Sequence, residues 1–581
     1  MQTRSKTGFD VLKFALVLGL LGDVLLRAKP WGLNVFLFNL AFVVGFAVLL
    51  WRSAPQRLTV SSVSLMAAQM FFAAMFVWRD SIELRIADTF AIIAISSVQL
   101  LPQLKVTQRL AGGFHFVLGF LWSSLSAFFA PVALLLNDIE WSTMPSSGWR
   151  KHTAATLRGL VIAAPLVLIF GGLFVAADAA YEGMVQRALN IDLSVAFSHA
   201  VLIGVFGWLS MGYLRGAVIS PLGAVDADDD DDDTGMPLRE TTETHFSDVA
   251  SDTGELPVTL PGDRPVVDHL NASDPPNASS EDASKKPAEP AAEKKTWEWS
   301  DISNTLLPQA FTFGTTEVAI ILGAMNLLFL SFVIVQVPYL FGGMDLVQTT
   351  PDFKLAEYAR RGFGELVTVS ALVLPTLLIG QWLIRKEATR AQVLFKVLAG
   401  TQIALLFVIM ASAVQRLLIL TGNLGYGMTT IRLYPMIFMT WLAVVFVWFG
   451  ATVLRGARQY FAWGALWSAF VVLGATHVLN PDAFIVKTNL ELMRAGREFD
   501  ARYNSRLSDD AVPTLLTALP ELSADDQWQV FQRLASRNAE KADENDLRSF
   551  NLSRMQAERF LAPYQNELDS SDARRMMTPE R

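Results

Sequence analysis

Cysteine is absent from all 581 residues. This excludes disulfides, thiolate metal sites, iron–sulfur clusters and cysteine nucleophiles, and leaves the redox compartment unread. Histidine is scarce, at six residues, and no His-Glu-x-x-His pattern offers a zinc site, so no metal ligand set, cofactor or catalytic constellation is expected. Charge is thin too: 18% of the chain is charged against 52% apolar, and the mean hydropathy is +0.36. Such a composition cannot cover an ordinary water-soluble surface, which excludes a soluble enzyme, a fibre or a disordered chain as a description of the whole. The net charge of -8 comes largely from a few soluble stretches. No basic patch with interleaved aromatics points to nucleic acid.

What is present in abundance is long apolar runs. Seven lie in the first half: Asp10 to Leu26, Leu33 to Trp51, Val60 to Val77, Ile86 to Leu101, Phe114 to Leu136, Leu157 to Ala177 and Phe197 to Ile219. Five more follow: Val318 to Phe341, Leu366 to Ile384, Val397 to Leu420, Pro435 to Leu454 and Phe461 to Leu479. Crossing a hydrocarbon core takes about 20 helical residues, so the shorter runs leave the count open between 11 and 13. Two-residue alternation is missing, which excludes barrel strands. The expected fold is therefore all-α, a polytopic helical membrane protein with about 12 transmembrane helices. Its expected parts are an N-terminal bundle (1–220), a disordered acidic insert (221–304), a C-terminal bundle (305–480) and a soluble helical tail (481–581).

The insert is rich in Asp, Pro, Ser and Ala and carries the run Asp228 to Asp233; it buries too little apolar area to offset ordering. In the tail, Ser508 reads as the start of a helix bearing Val512, Leu515, Leu516 and Leu519. Ser523 with Asp526 reads as a capping box, and Asn551 as a further cap. Twelve spans return the tail to the side of the amino terminus. Five spans between insert and tail put those two on opposite sides. The basic residues of the short loops divide, so orientation stays open.

Polar residues within or beside the spans are the candidate binding groups. Glu357, Arg361 and Glu365 are spaced four apart and share one face of a helix entry. Arg416 and Arg432 flank a glycine-rich turn near Tyr434, a set of donors suited to a phosphate, carboxylate or lipid headgroup. Asn326 lies deep in a span and needs a hydrogen-bond partner, and His477 ends the last span shortly before Asp482. His199 and Asp23 read as isolated signals.

Three segments, Tyr358 to Leu366, Thr421 to Met428 and Leu507 to Leu515, resemble an uncharacterised bacterial multi-pass membrane family catalogued as a domain of unknown function. The resemblance covers mainly the second half and early tail. It implies a bacterial cytoplasmic (inner) membrane protein with Arg361 and Glu365 at a helix entry, Arg432 and Tyr434 after the glycine turn, and Asp510 in the tail. The acidic insert falls outside that pattern. The expected function is an envelope-regulatory or lipid-associated scaffold in preference to an enzyme. Membrane lipids are the expected partners, together with a protein partner for insert or tail. The alternatives are a secondary transporter or lipid flippase, and a transferase of lipid-linked groups.

Overall fold

The computed structural model describes residues 2–27, 30–139, 193–219, 312–341, 363–384, 388–423, 427–541 and 546–564. The expected insert and the run Leu157 to Ala177 lie outside the described residues. Within them the chain is helical, with no strand and one isolated bridge between Phe313 and Ile384. Among the described residues ten helices are long and apolar enough to cross a membrane, and they match ten of the twelve expected runs. An eleventh expected run falls within α1 (Gln2–Leu26).

The N-terminal bundle contains α1, α2 (Leu33–Ser53), α3 (Val60–Trp78), α4 (Ile82–Gln99), α5 (Gly113–Ala133) and α6 (Leu193–Val218). Glycine brings α6 against two neighbours. A Cβ on Gly212 would sit 2.3 Å from Ala127 O on α5, and one on Gly19 of α1 would sit 2.7 Å from Ile203 O on α6. Lipid gives apolar helices little reason to associate, so such backbone approach and the dispersion it gains hold the contact. The second bundle contains α7 (Thr315–Phe341), α8 (Phe363–Leu383), α9 (Thr389–Leu418), α10 (Thr430–Thr452) and α11 (Phe461–Leu479). Leu406, Val445, Phe446 and Phe449 are fully buried at its centre, whereas Leu327 and Leu328 of α7 are more than 60% exposed, as suits side chains that face acyl chains.

The ends of these helices define two faces. At the first face α1 begins beside the end of α2, where Thr7 and Ser53 hydroxyls are 3.2 Å apart. There Asp138 pairs with Arg4 at 2.7 Å and Arg215 at 2.5 Å. At the second face α1 ends against the tail: Arg548 donates to Val24 O. The start of α1 and the tail therefore lie at opposite ends of the bundle, which corrects the expectation that they share a side. The difference arises at α5. It starts just after the turns that close α4 and finishes at Asp138 among first-face residues, so both its ends are held at one face. Pro131 removes a helical hydrogen bond there, and the following π-turn Leu134–Asp138 redirects the chain toward the two arginines.

The tail folds as α12 (Pro481–Arg494), α13 (Ala501–Asn504), α14 (Val512–Thr517), α15 (Ala524–Lys541) and α16 (Leu552–Leu561). Ile485, Val486, Leu515, Leu516, Val530 and Leu534 form its core. Ser523 caps α15: Asp526 N donates to Ser523 Oγ at 3.2 Å, and the Asp526 carboxylate accepts from that same hydroxyl at 2.6 Å, whereas the reciprocal bond of a capping box would come from the Ser523 backbone N–H. Asn551 accepts from Arg554 N at 3.1 Å. Ser508 does not cap a helix. Its N–H donates to Asp482 at 3.1 Å, and α14 starts later, at Val512.

Candidate functional site

Helix ends leave N–H and C=O groups without intrahelical partners, and at a membrane surface they need others. The tail supplies them for all four of the first helices. Phe550 O accepts from Leu33 N at 2.9 Å at the start of α2. Asn551 Nδ2 donates to Phe76 O and Arg79 O, both at 2.8 Å, at the end of α3. Asp510 accepts from Asp80 N at 2.7 Å and Ser81 N at 3.0 Å, just before α4. Arg548 serves the end of α1, as described above. Close fit accompanies this capping: a Cβ on Gly32 would meet Phe550 O at 2.5 Å, so glycine is required where the tail backbone lies on the α1–α2 turn.

Asp510 is the centre of the junction. Its other partners are Arg79 at 3.3 Å, the Ser508 hydroxyl at 3.2 Å and the Ser553 hydroxyl. Two backbone amides ahead of a helix make a natural carboxylate cradle, and the guanidinium adds a charge-assisted bond. Arg79 also donates to His477 O at 2.9 Å and stacks over Trp78, 4.4 Å from its ring centre. One side chain thus links α3, α11 and the tail. Beneath it, His477 Nε2 meets Asp88 of α4 at 2.9 Å with both side chains fully buried. Tyr434 of α10 brings its hydroxyl within 3.2 Å of Ser81 Oγ, which donates to Glu83 at 3.0 Å.

Asp482 adjoins this cluster and is 2% exposed. Burial is the main cause that pushes its carboxyl up to about 6. Two hydrogen bonds from Ser508 oppose the shift, and the negative charges of Asp510 and Glu83 add to it. Asn480, next to it, adopts a left-handed conformation at φ 52°, which asparagine tolerates better than most residues. From there it caps α12, accepting from Ala483 N at 3.4 Å.

The eight expected site residues divide. Tyr434 and His477 enter the junction. Arg432, two residues before Tyr434, donates to Gly427 O within its own turn. Arg416 is buried near the end of α9. Asn326 lies elsewhere, in the second bundle, where its amide donates to Leu398 O at 3.0 Å. Glu365 is exposed in the first turn of α8; Glu357 and Arg361 lie outside the described residues. Asp510, implied only by the family resemblance, proves central.

Asp88 and Arg79 were missed. The signal for Asp88 was a carboxylate inside an apolar run, which by default deserves a functional hypothesis. Asp23 and His199, read as isolated, are partners: His199 Nδ1 lies 2.5 Å from Asp23, and Arg27 bridges Asp23 to Ser198.

A helical bundle of many apolar spans, with a helical domain capping one end, defines a multi-pass membrane protein. The chain belongs to the family described as Domain of unknown function (DUF4153), whose model matches residues 65–247 and 272–518. That span takes in the first half as well as the second. It also enters the acidic insert from both sides, including the Asp228–Asp233 run, which corrects the expectation that the insert lies outside the family pattern. It includes Arg79, Asp88, Tyr434, His477 and Asp510, and ends before Asn551 and Ser553. No curated protein and no solved structure matches the chain.

Proposed function

We propose that this protein is a membrane-embedded scaffold in which the tail and the first four helices act as one body, presenting the tail as a platform for a protein partner at the second face. The observation that carries this reading is the capping of helix ends by Asp510, Phe550, Asn551 and Arg548. A module on a flexible tether has no use for such bonds, whereas a rigid extension of the bundle requires them. The setting we propose is a bacterial cytoplasmic membrane with the first face toward the cytoplasm. Support comes from Arg4, Arg52, Arg57, Lys105, Arg109 and Arg390 at helix starts, ends and turns of that face.

Asp510→Ala tests the coupling. It leaves a buried guanidinium and two amides without their acceptor, a loss of about 3 kcal/mol or more. Hydrogen exchange of the full chain in nanodiscs is expected to show faster exchange at Leu33, Asp80 and Ser81 and through α16, with α9 unchanged. Wild-type protection at all these positions would remove the basis for the scaffold reading.

Secondary transport is the second reading, favoured by one observation. Asn326 Oδ1 and both amide atoms of Gln402 are buried in the second bundle without a partner among the described residues, and buried polar groups of this kind suit a polar ligand. Solute flux in reconstituted vesicles that is abolished by Gln402→Leu would favour transport over the scaffold.

A further inference from the structure

At the first face, remote from the tail, the turn Pro55–Arg57 and the start of α3 meet the turns Leu101–Leu104 and Gln108–Leu110 around a cavity of about 570 Å³. Arg57, Lys105 and Arg109 line it with Thr59, Ser61 and Gln108, and no carboxylate is among the described residues that line it. The two arginines are braced by neutral oxygens: Arg57 donates to Ala217 O at 2.9 Å and Arg109 to Ser61 Oγ at 2.8 Å. These bonds aim the guanidiniums without cancelling their charge. Lys105 closes the Leu101–Leu104 turn in a left-handed conformation at φ 57°, its N–H donating to the carbonyls of Leu101 and Pro102, an ordinary way for a helical turn to end. The 19-residue α3 begins in the cavity wall, with Thr59 as its cap, and adds the positive end of its dipole. Burial lowers the Arg57 pKa from its ordinary value, so this cation is poorly hydrated and has more to gain from an anion.

We propose that this cavity binds a phosphate-bearing anion, either the headgroup of an anionic phospholipid or free phosphate. Its wall includes Val60, 74% exposed, and Leu110, next to the lining residue Arg109, is 47% exposed; both are apolar side chains close to the span ends where acyl chains begin. Basic pockets between helix ends are suited to anionic headgroups, each cation being worth about a fivefold gain in affinity near an anionic surface. The inference does not depend on the scaffold reading, because the pocket and the tail junction occupy opposite faces.

The test uses the full chain in two arms. Native mass spectrometry follows retention of phosphatidylglycerol against phosphatidylcholine. Calorimetry follows inorganic phosphate added to the protein in phosphatidylcholine nanodiscs. The variant Arg57→Gln/Lys105→Gln/Arg109→Gln is expected to weaken binding roughly a hundredfold. Because Arg57 also braces Ala217, Lys105→Gln/Arg109→Gln is measured as well, with about a twenty-fivefold loss expected. The charge-matched control Lys487→Gln/Arg502→Gln/Arg506→Gln, in exposed tail positions, should bind as wild type. Selective retention of phosphatidylglycerol that the pocket variants lose identifies a headgroup site; saturable phosphate heat that they lose identifies free phosphate. Binding in neither arm, or equal loss in pocket variants and control, would overturn the proposal.

Discussion

Ser508 has one hydroxyl proton and two carboxylates within reach of it, Asp482 and Asp510. Asp510 has amides and a guanidinium besides, while one oxygen of Asp482 has no partner among the described residues, so the shortage falls on Asp482. Folding raises this carboxyl from an ordinary 3.8 to about 6; the folded state therefore holds the proton more tightly than the unfolded chain. Its stabilising contribution is fully present below about pH 4 and is lost as the pH rises through about 6. That difference in proton affinity corresponds to about 3 kcal/mol. Asp482→Asn, which keeps the shape without the charge, is expected to raise the melting temperature at pH 7.5 and to flatten its change between pH 4 and 6. A pH profile identical to wild type would show that another group governs. At this scale the sequence pointed to Tyr434 and His477 but not to their partners. His477 and Asp88 are separated by 389 residues, and no local periodicity encodes such a pairing.

Among whole elements, α6 depends on its glycines. At Gly212 any side chain would enter the backbone of α5, where an added Cβ stands 2.3 Å from one carbonyl oxygen and 2.4 Å from another. Gly212→Leu is expected to cost at least the 1–3 kcal/mol typical of overpacking and to lower the thermal midpoint in detergent. An unchanged midpoint would mean that α5 and α6 separate without penalty. Elements were the most legible feature of the sequence, because a span needs only a sufficient apolar run and caps such as Ser523 and Asn551 act within three residues. The placement of α5 was not legible. Its composition is that of a span, yet the π-turn after Pro131 and the pairing of Asp138 with Arg4 and Arg215 hold its far end at the face from which it started.

For the molecule as a whole, the arrangement of faces makes a prediction that the missing cysteines make easy to check. Lys6 at the start of α1 and Arg502 in the tail are both exposed and belong to opposite faces. Single cysteines at these positions, Lys6→Cys and Arg502→Cys, are expected to react with a membrane-impermeant maleimide from opposite sides of sealed vesicles. Labelling of both from one side would contradict the two-faced arrangement. The amino-acid sequence by itself determined that this is a helical membrane protein with a helical tail, since hydrophobic length and local capping are properties of contiguous residues. Tertiary structure alone decided which polar groups meet, because buried charges and helix ends take their partners from other elements far along the chain: Arg79 finds Asp510, His477 finds Asp88, and the tail closes the ends of α1 to α4.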